Sequence, residues 1–206
     1  MSVLKLLSMA QAIADRSNGD LLKEWIGLSH RLAKITGVAH VVAVQRIGRL
    51  DLLLRQIETE VLADIQKPEE DRAFFAADVL AAHSEAWVLR AYEIVRAADQ
   101  QLDDRGEENA SIAALKHRLG LVRIPIAKGE IQGMTKRRIK NDPIVLVRGD
   151  GSDPRPYAAD GSYVMPPHIC TASGSLSWPA VDREAPQNDL IRRRDLADEM
   201  LALVVE

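Results

Sequence analysis

The chain has 206 residues, 47% hydrophobic and 28% charged, with a formal net charge of −3. That is a globular composition with enough length for a full core, and its mild acidity supplies no global positive field to draw it onto nucleic acid or an anionic membrane. A single cysteine, Cys170, excludes an intrachain disulfide and fits a reducing, cytoplasmic setting.

Residues 3–16 read as a short amphipathic helix. Lys5 interrupts their apolar run, which is too short for a secretory signal. Ser17, Asn18 and Gly19 form a turn, and Asp20 is placed to cap the second helix. Leu21, Leu22, Trp25, Ile26, Leu28, Leu32 and Ile35 then recur at helical spacing. Residues 38–44 are β-branched enough for a strand. Their flanks argue otherwise: Ile47, Leu50, Leu54, Ile57, Val61 and Ile65 continue at intervals of three and four. The reading is one long helix, bent near Gly37 and stopped before Pro68. The most apolar window, 38–44, is far too short to span a bilayer, so no membrane association is expected.

A short connector, 67–70, leads into 71–103, a stretch without Gly or Pro. Helices joined so tightly should lie antiparallel. On a helical wheel Leu80, Trp87, Val88, Tyr92, Ile94, Val95 and Leu102 share a broad apolar face. Phe75, Val79 and Leu89 fall on the opposite side, among charges, and are candidate contacts with a second copy. Arg90, Glu93 and Arg96, spaced three apart, can form an ion-pair ladder. With His83 and Tyr92 they make the candidate polar site. Residues 103–109 are an acidic turn. Asn109 or Ser111 then caps a helix through Leu119, with Gly120 as its C′ residue and Pro125 breaking any continuation.

From residue 141 the composition shifts to Pro and turn residues. Short extended runs are expected at 143–147, 162–167 and 174–181, with turns at 149–154 and 159–161. Together they suggest a hairpin or meander. A helix over 189–205 closes the chain. The expected architecture is mainly α: a helical bundle over 1–140, a Pro/Gly-rich β-containing appendage over 141–186, and a C-terminal helix, 187–206, packing back on the bundle.

Chemical motifs are sparse. His30, His40, His83, His117 and His168 are scattered without metal-ligand spacing, and neither metal nor cofactor is expected. Phosphate loops, dinucleotide fingerprints and nucleophile elbows are missing. Two cationic clusters stand out. Lys136, Arg137, Arg138 and Lys140 are candidate phosphate or nucleic-acid contacts, though without the interleaved aromatics that stack single strands. Arg192, Arg193 and Arg194 fall near the start of the last helix, where the macrodipole disfavours cations. An acidic partner is therefore expected, in the 103–109 turn or at Glu93.

The phrase AWVLRAYEIVRAAD (86–99), with LVRIPIAKGE and LIRRRDLADEML later in the chain, resembles HEPN-like helical proteins of bacteria. The resemblance implies a dimeric helical bundle in a toxin–antitoxin or phage-defence setting. Ribonucleases of that group carry Arg and His on a helix with four to six residues between them. This chain has no such spacing, so no catalytic residue carries over. The expected function is a non-catalytic, homodimeric interaction or scaffold protein. The alternative is an RNA- or nucleotide-binding protein using Arg90, Arg96 and the 136–140 cluster.

Overall fold

The computed structural model describes residues 2–68, 74–141, 143–146, 153–183 and 189–204. Seven helices and a small amount of antiparallel sheet make up these residues, and the last regular element is a helix. No helix among them is long and apolar enough to cross a membrane.

The first helix, α1 (Val3–Ser17), starts at Ser2, whose hydroxyl accepts from the Lys5 N–H at 3.4 Å. The chain breaks at Asn18, and Asp20 falls in the first turn of α2 (Gly19–Thr36) rather than capping it. The long bent helix expected through Gly37 is instead two helices. Gly37 sits at φ +80°, which terminates α2, and the chain reverses into α3 (Ala39–Asp64). Residues 39–44 are thus helical. The reversal stacks α2 antiparallel on α3: Trp25 meets Asp51, and Ser29 meets Gln45.

Next comes α4 (Phe74–Asp103), the thirty-residue helix around which the bundle is built. It runs antiparallel to α3, with the Trp87 indole N–H donating to the Ile47 carbonyl at 3.1 Å. Its apolar face is buried nearly as the wheel places it: Leu80, Trp87, Val88, Ile94, Val95 and Leu102 are at most 7% exposed, while Tyr92 is half-buried. Asn109 caps α5 (Ala110–Lys128) by accepting from the Ser111 and Ile112 N–H groups.

That helix does not stop at Gly120 or break at Pro125. It runs on to Gly129, which ends it in the left-handed conformation at φ +61°. An interior proline forfeits one backbone bond and costs about 3 kcal/mol. Burial of Leu119, Leu121 and Val122 in the same stretch outweighs this at about 1.5–3 kcal/mol per side chain. A Cβ at Gly120 would lie 2.5 Å from the Gln132 side-chain oxygen, so a larger residue there would displace the end of that side chain.

After the six-residue α6 (Lys136–Asn141) the chain forms β1 (Val145–Leu146) and β2 (Arg155–Pro156), paired with each other. The turn expected at 149–154 lies mostly outside the described residues. Residues 162–167 are irregular rather than extended in a sheet; Pro166 and Pro167 have no N–H to donate to a ladder. The remaining strands form a three-stranded antiparallel sheet, ordered β3 (His168–Ile169), β4 (Leu176–Ala180), β5 (Asp189–Arg192).

The closing helix is correspondingly shorter than 189–205. It is α7 (Arg193–Leu201), because residues 189–192 are taken up as β5. The reason is β4. Leu176, Trp178 and Ala180 are all buried, and a buried strand must satisfy its backbone groups on both edges. Two residues of β3 pair with one edge, and β5 covers the other from Ser177↔Arg192 to Ala180↔Asp189. Leu176, Trp178, Ile191, Leu196 and Met200 join the same core as Trp25 and Trp87. A second, small core of Ile131, Met134, Tyr157 and Ala159 sits under α6 and the β1–β2 hairpin.

Candidate functional site

Among the described residues, one cluster of charges is buried. On α3, Ile47, Asp51, Leu54, Glu58 and Val61 succeed one another at intervals of four and three and so share one face. Two carboxylates thus alternate with core aliphatics, and both are fully buried. Arg193, the first residue of α7 and also fully buried, enters between them. It donates from Nε and Nη2 to Glu58 Oε1, at 2.9 and 2.7 Å, and from Nη1 to Asp51 Oδ1.

Asp51 Oδ2 accepts from the Trp25 indole and from Arg55 Nε, each at 3.0 Å. Glu58 Oε2 accepts from Arg194 Nε at 2.8 Å, and Arg55 reaches on to Asp198. The guanidinium carbon of Arg193 stands 5.7 Å from the Trp87 ring centroid, and Trp25 meets Trp87 edge to face at 6.4 Å. Burial pushes the Asp51 carboxyl up, but Arg193 and Arg55 outweigh it and hold the group below the ordinary carboxylate value.

Arg193 and Arg194 thus find acidic partners on α3, not in the 103–109 turn or at Glu93, while Arg192 pairs with Asp195 at 3.3 Å. With three carboxylates facing three guanidinium groups and every buried member bonded, this cluster is a closed clamp between α3 and the C-terminal elements. Its sequence signal is the acidic pair in a stripe of otherwise apolar a and d positions.

The five residues of the expected polar site are brought together only in part: Arg90 and Glu93 line one groove and Glu93 pairs with Arg96, whereas Tyr92 and His83 belong to neither arrangement. Glu93 accepts from Arg96 Nε at 2.9 Å and from Arg123 Nη2 at 3.4 Å, so it ties α4 to α5. Arg96 also reaches Gln100. Arg90 makes no ion pair among the described residues and lines a groove with His40 and Arg46. Tyr92 belongs to a different hollow, of about 440 Å³, with Lys128, Glu130 and Lys136, and Arg123 lies 5.0 Å above its ring. His83 is exposed and, among the described residues, bonds its own helix at the Val79 carbonyl.

Of the expected dimer contacts, Val79 and Leu89 are half-buried, and the Phe75 side chain lies outside the described residues. The larger exposed apolar surface is on α1, which the wheel of the central helix does not reveal. Val3, Leu4, Leu6, Leu7, Met9 and Ile13 are 46–77% exposed, and only Ala14 of this helix is buried.

Lys136, Arg137, Arg138 and Lys140 are exposed on α6 and form no ion pair among the described residues. Cys170 sits in the β3–β4 turn, where hydrogen bonds from the Ser173 hydroxyl and the Ala172 N–H hold its thiol below the ordinary value. No three His, Cys, Asp or Glu side chains among the described residues converge as a metal site. The chain matches no family model, no curated protein and no solved structure.

Proposed function

We propose that this protein is a non-catalytic interaction protein that pairs with a second copy of itself through α1. The observation that carries the reading is the exposure of six apolar side chains on one fifteen-residue helix. Apolar surface concentrated in this way marks an interaction face, whereas single scattered hydrophobics do not. Val3, Leu6 and Ile13, with the half-buried Ala10 between the last two, succeed one another at intervals of three, four and three, the spacing of a helix–helix seam. Across a two-fold axis such a stripe is complementary to itself, because each copy offers the same aliphatic row. The inner edge of α1 is already held to the bundle, with Gln11 donating to the Arg49 carbonyl at 3.3 Å. The outer face is therefore presented at a fixed angle.

The test is light scattering of the full chain at micromolar concentration. The expected result is a dimer for the native protein and a monomer for the Leu6→Glu/Ile13→Glu variant. A native monomer across that range would overturn the reading.

A second reading rests on α6. Its four cations, without ion pairs among the described residues and beside the hollow that also holds Tyr92 and Lys128, suit a phosphate-bearing partner such as RNA, the alternative raised by the HEPN-like resemblance. It predicts RNA binding that weakens steeply between low and physiological salt and is lost in Arg137→Glu/Arg138→Glu. Binding unchanged by that variant would exclude α6 as the contact.

A further inference from the structure

We propose that the groove between the first turns of α3 and the C-terminal half of α4 binds a small anionic amphiphile, an acid headgroup on a short aliphatic body. The groove has a volume of about 690 Å³. That lies within the range of about 300–1,000 Å³ in which small ligands are held. Its floor is apolar: Ile47 and Ile94 are 1% and 5% exposed, and Ala43 and Leu89 are half-buried beside them.

The rim is cationic. Arg46 and Arg90 both line the groove, both are exposed, and neither has an ion-pair partner among the described residues. The one acid among the lining residues, Glu93, is already neutralised, since its two oxygens accept from Arg96 and Arg123. An apolar floor under two uncompensated guanidinium groups matches a ligand whose one end is anionic and whose other end is aliphatic; carboxylates and phosphates both dock on such a fork.

The α3 wall runs from Ala39 to Ile47, about 12 Å at 1.5 Å per residue, long enough to lay a short aliphatic chain along the apolar floor with its acid end at the arginines. No residue of α1 lines the groove, so the inference is independent of the pairing proposed above.

The test is calorimetric titration of the full chain with octanoate, octyl phosphate, octanol and octylammonium. The expected result is binding of one or both anions, the preferred headgroup distinguishing a carboxylate from a phosphate ligand, with octanol at least about tenfold weaker and octylammonium without measurable heat. Arg46→Glu/Arg90→Glu, confined to exposed side chains, is expected to remove the preference for the anion over the alcohol. Val42→Trp, at a rim position 52% exposed, is expected to abolish binding of both by filling the groove. No binding of either anion at millimolar concentration, equal binding of octanoate and octanol, or an unchanged anion preference in the double-arginine variant would each overturn the proposal.

Discussion

Arg193 has no access to water, and its charge is tolerated only because Asp51 and Glu58 surround it. Removing one member of such a group leaves the others buried and uncompensated, which costs about 3–5 kcal/mol, whereas neutralising the whole group costs far less. Arg193→Met is therefore expected to lower stability by about 3–5 kcal/mol in urea unfolding. Adding Asp51→Asn and Glu58→Gln to it should recover much of that loss, since the carboxamide oxygen introduced in place of the Asp51 carboxylate still accepts from the Trp25 indole. If the triple variant is no more stable than Arg193→Met, the loss comes from packing against Trp87 rather than from charge. By contrast, the arginines at positions 46, 90, 137 and 138 are exposed, and replacing them should leave the urea midpoint nearly unchanged.

Among the elements, α5 departs from expectation whereas α1 forms where expected, and in both the surroundings of the helix decide the outcome. In α5, tertiary burial overrode two helix-breaking residues, because a helix already packed on α4 loses more by stopping than it loses at Pro125. In α1 the pattern forms a helix as expected, but the helix leaves most of its apolar side chains uncovered. This contrast makes the pairing prediction specific. Since Leu6 and Ile13 are 47% and 46% exposed, Leu6→Glu/Ile13→Glu should shift the oligomer without moving the monomer's unfolding transition by more than about 1 kcal/mol. A variant that unfolds instead would show that α1 is part of the monomer's own core.

Over the whole molecule, the clamp joins residues 51–58 to residues 193–198, so the middle of α3 and α7 are expected to unfold together. Its acid sensitivity has a definite sign. Asp51 is held below its ordinary value in the folded protein. A depressed carboxyl contributes stability that is fully present above the unfolded value, about 3.9, and is lost as the pH falls through the folded value. Urea stability of the native chain is therefore expected to fall below about pH 4 more steeply than that of Asp51→Asn, with the two curves parallel above about pH 5. Equal slopes in that acid range would mean that other carboxylates govern acid unfolding.

Most of the architecture was legible along the chain because it depends on local periodicity. The apolar positions of α4, the stop before Pro68, the Asn109 cap and the strand at 176–180 are set by spacing, backbone chemistry and turn residues within a few positions of each other. The break at Gly37 was visible as a glycine, but whether it bends one helix or reverses the chain depends on what α2 and α3 bury against each other. The site was legible only in fragments. Three arginines near a helix start called for an acidic partner, and an acidic pair stood in an apolar stripe, yet Arg193 lies 135 residues from Glu58 and 142 from Asp51. Likewise, nothing local separates Arg90, open to a groove, from Arg96, spent on Glu93. Periodicity determined which faces are apolar; only tertiary packing decided which of those faces are covered and which charges are left without a partner, because burial and ion pairing join residues that the chain holds far apart.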